Sequence, residues 1–550
     1  MILLPPLLLL PLPMLVDGQE ALCGYCMLLL AVYWCTEAVP IEVTGLIPVF
    51  LFPMLGLLPV EAVVPQYMKE VQMLFLGGII VAISLEKNNL HIRIALNILR
   101  LIGTQPRWLL FGFMFPTWFL SMWISNTAAT SMMLPMVEAV LDQIQPKNPD
   151  DYEGVLKTSN SRLKIHQEME IDDSPRDPRV HYAEQKAHFD RMSVGFYLSV
   201  AYAANVGGVA TLTGTSPNLI LKGYVDDIWS AQGLPSPLDY SNWMVFGMPI
   251  SFMCFVLVWF WMQFMYLGIR LAETCNCCSR AEKGDSAAKK TIMDAYNRLG
   301  SISFAECMVG ILFMTLVSLW FFRDPDFMAG WSTYYRDEYI GDAVPALMIA
   351  CFTFIIPNTL TPKADDDKPV GTLMTWKATH EKMAWGTLIL TGGGFALAEA
   401  TMKSGLADWI GDQLQIFDAL PGWVMVMLLC LIVSLVTNVT SNTAICTLLM
   451  PIMAAMAEGL GKNPMYLMLP VCVTTSFAFM LPVGTPPNAI VFASGRIKVM
   501  DMVKAGLGIN ILCVFVITMA TETWGAAYFD LYNLPWGNST GINSTLQYIL

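Results

Sequence analysis

Two copies of one polar triplet interrupt otherwise apolar stretches of this chain. Ser-Asn-Thr-Ala begins at Ser125 and again at Ser441, and a proline follows ten residues after each serine. A second pair of motifs lies further along, GTSPN from Gly214 and GTPPN from Gly484. Polar side chains in apolar helices most often hydrogen-bond to neighbouring helices. Their recurrence at matched positions predicts a binding site instead.

The residue types in these motifs indicate what such a site could bind. Proline and glycine break helices, and freed backbone groups are tolerated at membrane depth only where they line a cavity or are buried in protein. Carbonyl and amide oxygens suit Na⁺, whereas hydroxyls and the N–H groups of half-helix N-termini suit a carboxylate. Segments 421–457 and 463–495 contain no charged side chain. An anion held without a basic residue needs mobile cations, so the motifs predict that Na⁺ and an anionic solute bind together.

The composition of the chain is that of a membrane protein. Of its 550 residues, 55% are hydrophobic and 14% are charged, whereas soluble domains have about 25% charged residues. Segments 108–143 and 421–458, each folded around a triplet, are predicted as re-entrant hairpins, although two full crossings satisfy the same parity. The fold class is thus an all-α polytopic membrane protein with about eleven transmembrane helices, predicted at 1–16, 24–37, 41–58, 72–86, 195–224, 241–268, 302–322, 342–357, 386–402, 465–492 and 505–524.

Lysine and arginine set the predicted orientation. Segments 87–107, 145–194, 269–301, 358–385 and 493–505 hold 25 of the 31 Lys and Arg residues, and the positive-inside rule assigns such loops to the cytoplasm. The N-terminus is then cytoplasmic and the C-terminus extracellular. The polar parts of the two longest loops, 145–192 and 269–300, are interpreted as connectors without a fold of their own.

Glycosylation sequons provide a second indication of orientation. Two of them, at Asn538 and Asn543, lie in the C-terminal tail and predict glycosylation on its extracellular side. A third sequon, at Asn438, lies in an apolar run and is interpreted as a chance occurrence.

An internal repeat organises the chain. Gly77 precedes Ser125 by 48 residues, and Gly393 precedes Ser441 by the same 48. Without the polar loop 145–192 the two halves align with five crossings each. An odd number of crossings places the two halves in opposite orientations in the membrane, which predicts inverted repeats, as in secondary transporters. The sequence contains no GxSxG, HExxH or GxxxxGK[ST] motif, so no enzyme is predicted. An anion channel stays an alternative, although it is expected to show a repeated filter.

Longer segments carry a family resemblance. Together with the paired triplets, YWCTEAVP, NLHIRIAL, LPVGTPPNAIVFASG and TWGAAYFDL resemble the divalent anion–sodium symporter family. Within it they look most like the animal sodium-coupled di- and tricarboxylate transporters, which include the INDY proteins. The resemblance covers nearly the whole chain. It implies a plasma-membrane homodimer that carries citrate, succinate and related anions with more than one Na⁺ by an elevator movement.

The resemblance also implies a division into units. A scaffold and a transport domain would each be built from both halves of the chain. The expected segments are scaffold helices 1–4 at 1–107, the first hairpin with helices 5–6 at 108–268, a cytoplasmic loop at 269–301, scaffold helices 7–9 at 302–420, the second hairpin with helices 10–11 at 421–524, and an extracellular tail at 525–550.

Site residues follow from the resemblance, motif by motif. One sodium site would use Ser121 and Asn126 with the turn at Gly214. The other would use Thr437 and Asn442 with the turn at Gly484. The substrate carboxylates would meet Ser125, Asn126, Thr127, Thr215, Ser441, Asn442, Thr443 and Thr485.

Two positions bear on the choice of solute, and two others depart from the family pattern. Sulfate-preferring relatives usually have Ser-Asn-Pro at the second triplet and Asn-Pro-Pro-Asn at the last turn, so Thr443 and Thr485 favour carboxylates. Two positions depart from the family pattern: many members have Glu at Asn438, and Ala is frequent at Gly484. Some insect members work without sodium, which leaves sodium-independent carboxylate exchange as an alternative, followed by sulfate transport.

Overall fold

The computed structural model describes residues 2, 4–16, 18–102, 105–145, 178–267, 282–325, 328–336, 339–360, 371–414 and 420–536. These residues are mainly helical, and their one β-contact is an isolated bridge between Pro357 and Thr372. The helices of the first half are α1 (Leu4–Leu9), α2 (Pro11–Leu15), α3 (Gln19–Thr36), α4 (Ile41–Met54), α5 (Val60–Val63), α6 (Glu70–Lys87), α7 (Leu90–Leu101), α8 (Pro106–Ser121), α9 (Asn126–Ile144), α10 (Pro178–Gly207), α11 (Ser216–Ala231) and α12 (Tyr240–Met262).

The second half is helical in the same way. Its helices are α13 (Glu282–Arg298), α14 (Phe304–Phe321), α15 (Ala343–Ile355), α16 (Trp376–Lys382), α17 (Trp385–Lys403), α18 (Leu406–Leu414), α19 (Gly422–Val436), α20 (Asn442–Gly459), α21 (Met465–Thr475), α22 (Pro486–Ala493), α23 (Val499–Ala520) and α24 (Ala526–Phe529). Short 3₁₀ turns lie at Val64–Tyr67 and Trp331–Tyr334, and π turns at Gln263–Leu267 and Thr521–Gly525.

Two predicted spans are interrupted where the proline-containing turns lie. Residues 208–215 separate α10 from α11, and residues 476–485 separate α21 from α22. The turn motifs account for both interruptions, because a proline at the start of a helix has no N–H to donate to the preceding turn. Each Ser-Asn-Thr triplet likewise lies between two helices, α8 and α9 in the first half and α19 and α20 in the second.

The paired glycines allow two helix pairs to pack closely. A methyl group added at Gly77 in α6 would lie 2.7 Å from the backbone of Ala346 in α15. One added at Gly393 in α17 would overlap the backbone of Gly45 in α4. Because each contact joins a helix of the first half to one of the second half, the repeated glycines explain how the two halves pack together.

The N-terminal span and both connectors differ from the sequence prediction. Segment 1–16 contains two short helices rather than one span, and prolines at positions 5, 6, 11 and 13 lack the N–H groups that a continuous helix needs. Helix α10 begins at Pro178, inside the predicted connector 145–192. The predicted connector 269–300 contains α13, which packs on α7 and α9 and buries Ile292. The sequence prediction missed the apolar face of α13 because most residues of this helix are polar or charged.

The two helices that follow the triplets are longer than those that precede them. With 19 and 18 residues, α9 and α20 measure about 28 and 27 Å at 1.5 Å per residue, whereas α8 and α19, with 16 and 15 residues, are shorter. Length and composition identify five candidate spans among the described residues, fewer than the eleven predicted: Val60–Lys87, Tyr240–Leu267, Phe304–Phe321, Asn442–Gly459 and Val499–Phe529.

Candidate functional site

One cavity of about 830 Å³ brings the four motifs together. Helices from both halves of the chain form its wall. All eight residues predicted to meet the substrate line it, as do both turn glycines: Ser125, Asn126, Thr127, Gly214, Thr215, Ser441, Asn442, Thr443, Gly484 and Thr485. Ser121 and Thr437 are fully buried and do not line the cavity.

Four helix N-termini lie at this cavity. Ser125, Thr215, Ser441 and Thr485 are the N-cap residues of α9, α11, α20 and α22. The first N–H groups of a helix have no partner within the helix, and the N-terminus carries a partial positive charge. An anion in the cavity would therefore meet favourable dipoles from two helices of each half. N–H groups are available mainly at α9 and α20, because α11 has Pro217 and α22 has Pro486 and Pro487 in the first turn, and proline has no N–H.

Behind the first triplet, three oxygen atoms share one proton. Ser121 Oγ lies 2.6 Å from Asn126 Oδ1 and 2.8 Å from the carbonyl oxygen of Ala204. The hydroxyl has a single hydrogen and can donate to only one of these acceptors at a time. We call these three atoms the first oxygen cluster. Such crowding of hard oxygen atoms is suited to a small cation that replaces the proton-mediated contacts.

The second triplet repeats this geometry. Thr437 Oγ1 lies 2.7 Å from Asn442 Oδ1 and 2.7 Å from the carbonyl oxygen of Thr475. These atoms form the second oxygen cluster. In both halves the cluster joins the end of one helix, the Asn of the triplet and a carbonyl of the interrupted span. The structure thus brings the predicted side-chain cation ligands together in two equivalent groups.

Two asparagines of the turn motifs hold the interrupted spans. Asn218 Nδ2 donates to the carbonyl oxygens of Gly208 and Thr211, at 3.2 and 2.8 Å. Asn488 Nδ2 donates in the same way to those of Ala478 and Leu481, at 2.8 and 3.0 Å. Both side chains are buried. They had not been predicted as site residues, although the Asn that closes both GTxPN motifs was the available signal.

The turn glycines lie against backbone atoms. A methyl group added at Gly214 would overlap the carbonyl oxygen of Gly208, and one added at Gly484 would lie 2.9 Å from that of Asn438. The first turn therefore excludes a side chain more strictly than the second. Alanine, which is frequent in the family at Gly484, would require a shift of the Asn438 backbone here.

Asn438 is a buried, neutral member of the second half-site. Its Nδ2 donates to the Ser434 carbonyl at 2.5 Å, and its Oδ1 accepts from the Met480 N–H at 2.7 Å. The side chain thereby connects α19 to the interruption after α21. Only 2% of the residue is exposed, which agrees with the interpretation of its sequon as a chance occurrence. Asn538 and Asn543 lie outside the described residues.

The cavity wall also contains charges that the motif segments lack. Glu37, Glu86 and Lys382 line it, and Lys382 forms an ion pair with Glu86. The expectation of a site without basic side chains is correct for the triplet segments, but Lys382 reaches the same cavity from α16. His91 lies beside this pair, and burial lowers the pKa of its imidazole, so the ring is neutral at pH 7.

Comparison with known proteins assigns the chain to a family. Residues 1–531 match the family model described as the sodium:sulfate symporter transmembrane region. The chain belongs to this symporter family. It is therefore a membrane transporter and not an enzyme, and the resemblance inferred from the motifs is confirmed.

Relatives of this symporter align along nearly its whole length. It is 40% identical over 564 residues to the Na(+)/citrate cotransporter of Mus musculus, covering 99% of this chain and 97% of the relative. It is 37% identical to the Na(+)/dicarboxylate cotransporter 3 of Mus musculus, with 99% and 94% covered. Among solved structures, the Alcanivorax borkumensis YdaH transporter aligns with a TM-score of 0.54 at 14% identity, covering 92% of this chain and 98% of that one. This likeness supports a helical transporter fold.

Proposed function

We propose that this symporter couples the entry of Na⁺ to the import of di- and tricarboxylates, such as citrate and succinate. The observation that carries the proposal is the convergence of two oxygen clusters and four helix N-termini on one cavity. Two relatives that align along nearly the whole chain are named Na(+)/citrate and Na(+)/dicarboxylate cotransporters, which supports the same solutes.

Each half of the chain contributes one Na⁺ site and half of the substrate site. The first ion binds at Ser121 and Asn126 with backbone at Gly214, and the second at Thr437 and Asn442 with backbone at Gly484. Bound Na⁺ neutralises part of the substrate charge, because the triplet segments contain no basic side chain. The substrate accepts hydrogen bonds from hydroxyl, amide and backbone N–H donors of Ser125, Asn126, Thr127, Thr215, Ser441, Asn442, Thr443 and Thr485.

Transport proceeds by an elevator movement in this proposal. Two inverted repeats supply a scaffold, 1–107 and 302–420, and a transport domain, 108–268 and 421–524. The close α6–α15 and α4–α17 contacts lie within the proposed scaffold, whereas both triplets and both turns lie in the proposed transport domain. The triplets lie at the tips of re-entrant hairpins, which agrees with the meeting of both tips at one cavity.

The membrane setting completes the proposal. The protein is a homodimer in the plasma membrane, with a cytoplasmic N-terminus and an extracellular C-terminal tail glycosylated at Asn538 and Asn543. Three charged residues line the cavity wall, Glu37, Glu86 and Lys382. With a cytoplasmic N-terminus, the predicted spans 24–37 and 72–86 end at the cytoplasm at Glu37 and Glu86, and Lys382 lies in the predicted cytoplasmic segment 358–385. The cavity is therefore assigned to the inward-facing state.

Uptake into proteoliposomes tests the proposed function. Labelled succinate, citrate and sulfate are offered with Na⁺ or with choline, and protein-free vesicles serve as the control. We expect saturable uptake of succinate and citrate that requires Na⁺. Equal uptake in choline indicates a sodium-independent exchanger, preference for sulfate indicates a sulfate transporter, and conductance that does not saturate indicates a channel. Each of these three results overturns the proposal.

The assigned residues have their own test. Asn126→Ala and Asn442→Ala each remove an oxygen from a cluster and a polar group from the cavity wall. We expect both variants to lose transport while they still reach the cell surface. Normal uptake by either variant contradicts the assignment.

A further inference from the structure

Asn205 is a buried amide of α10 that belongs to none of the four motifs. Only 1% of the residue is exposed, yet it lines the cavity beside the triplets and turns. It directly follows Ala204, whose carbonyl oxygen belongs to the first oxygen cluster. Asn205 is therefore attached by the backbone to the first half-site.

The side chain of Asn205 reaches into the second half-site. Its Nδ2 lies 3.2 Å from Thr485 Oγ1 and 3.4 Å from the carbonyl oxygen of Ala478. That carbonyl also accepts a hydrogen bond from Asn488 Nδ2, which holds the second turn. One side chain thus connects the helix of the first cluster to the turn that carries a predicted substrate ligand, 280 residues away in the sequence.

The direction of the hydrogen bond determines what Thr485 can do. An amide nitrogen can only donate, so Thr485 Oγ1 is the acceptor. The single proton of the Thr485 hydroxyl is then free for another acceptor, and Thr485 lines the cavity. A carboxylate bound there needs such donors, and hydrogen bonds to charged groups contribute more than neutral ones.

Among the described residues, only the first half sends such a side chain to the turn of the other half. In the second half, Ser476 follows Thr475 as Asn205 follows Ala204. The Thr475 hydroxyl donates to the Cys472 carbonyl oxygen at 2.7 Å, and Ser476 Oγ has no hydrogen-bond partner within the described part of the chain. Where the structure is described, neither side chain forms a hydrogen bond to the first turn at Thr215. The Oδ1 atom of Asn205 is also buried without a partner in the described part of the chain, which leaves an acceptor available to a water molecule or cation in the cavity.

We propose that Asn205 is a positioning residue for substrate binding. It donates to Thr485 Oγ1, directs the Thr485 proton to a substrate carboxylate, and links the first oxygen cluster to the second turn. This inference rests on the proposed function and adds to it a residue that acts through Thr485. The hydrogen bond between Asn205 and Thr485, which joins the two halves of the chain, thereby contributes to substrate affinity.

A double-mutant cycle tests this role. Asn205→Ala, Thr485→Val and the double variant are compared for the KM of succinate and the half-saturating Na⁺ concentration, with surface expression quantified for each. Each single variant is expected to raise the succinate KM about ten-fold, which corresponds to the loss of one hydrogen bond to a charged group. The double variant is expected to match Thr485→Val alone, because Asn205 acts through that hydroxyl. Effects that multiply overturn the inference.

Further variants separate positioning from folding. Thr485→Ser keeps the hydroxyl, so we expect a KM within about two-fold of the wild type and a retained response to Asn205→Ala. Asn510→Ala is the matched control, since Asn510 is 2% exposed in α23, has neither amide atom hydrogen-bonded among the described residues and does not line the cavity. An equal rise in KM for this control contradicts a specific role of Asn205.

The experiment remains decisive if one variant does not fold. Asn205→Leu then replaces Asn205→Ala in the same cycle, because leucine has nearly the shape of asparagine and no hydrogen-bond donor. The proposed function fails if the wild-type protein takes up neither succinate nor citrate. The inference about Asn205 alone fails if the wild type transports and the cycle is multiplicative.

Discussion

The ammonium group of Lys69 lies 2.6 Å from both carboxylate oxygens of Asp227. This ion pair joins the start of α6, in the proposed scaffold, to α11, in the proposed transport domain. The two side chains are 21% and 22% exposed, so the charges are largely removed from water. Arg323 and Asp239 form a second ion pair between the same two units, at 3.4 Å. These contacts would have to separate during an elevator movement.

Removing one partner of this ion pair should destabilise the described conformation. Asp227→Asn leaves the Lys69 ammonium partly buried without a counter-charge, which costs about 1–3 kcal/mol. We expect a lower melting temperature in detergent, partly restored in the double variant Lys69→Met with Asp227→Asn. Lys403→Gln is the control, because its pair with Glu399 lies on the surface, with Lys403 56% exposed, and such pairs contribute less than about 1 kcal/mol. Equal melting temperatures for the two single variants would contradict this account.

The second oxygen cluster predicts a different effect for two substitutions at Thr437. Thr437→Ser keeps the hydroxyl that contacts Asn442 and the Thr475 carbonyl, so we expect nearly normal sodium dependence. Thr437→Val has a similar shape but removes the oxygen, and the half-saturating Na⁺ concentration for succinate uptake should rise about ten-fold. Ser121→Ala should have the corresponding effect on the first cluster. Identical sodium dependence of the Ser and Val variants would exclude Thr437 as a ligand.

The turn glycines predict a graded sensitivity to alanine. Gly214→Ala should reduce transport more than Gly484→Ala, because its methyl group overlaps the Gly208 carbonyl, whereas that at Gly484 lies 2.9 Å from the Asn438 carbonyl. Gly24→Ala in α3 is the control, since its methyl group would meet only ordinary contacts, the nearest at 3.8 Å. The measurement is initial succinate uptake per molecule at the surface. A greater loss for Gly484→Ala would contradict the described turn geometry.

The local features of the site could be predicted from the sequence because short motifs specify them. Proline close to glycine favours a helix break, so the breaks near Gly214 and Gly484 followed from the GTSPN and GTPPN motifs, whereas isolated prolines such as Pro116 and Pro135 lie inside helices. The equal spacing of Gly77 and Gly393 from their triplets likewise anticipated two related halves. The hydroxyl and amide side chains of both triplets then identified the residues that line the cavity.

Contacts between distant residues could not be predicted in this way. Asn205 and Thr485 are separated by 280 residues, and Lys382 and Glu86 by 296, and no local pattern specifies which side chains meet across such distances. Helix α13 was missed for another reason. Its charged residues lower the mean hydropathy of the segment, while its packed face depends on a few residues such as Ile292.

The ion pair in the cavity wall predicts a charge-dependent effect on substrate affinity. Lys382→Gln leaves Glu86 unpaired beside the cavity and adds negative charge to its wall. Because Coulomb repulsion grows with the charge of the anion, we expect the KM of trivalent citrate to rise more than that of divalent succinate, by about five-fold against two-fold. The Lys382 and Glu86 side chains are 45% and 29% exposed, so high salt should reduce the difference.

A charge-neutral double variant separates charge from shape at this position. Lys382→Gln combined with Glu86→Gln removes both charges while it keeps side chains of similar size, so both KM values should return toward those of the wild type. The measurement is the citrate-to-succinate KM ratio in vesicles at low and high ionic strength, with the assayed side of the membrane fixed by selective inactivation of one orientation. A ratio that is unchanged in Lys382→Gln, or unaffected by salt, would show that this ion pair does not act on the substrate through its charge.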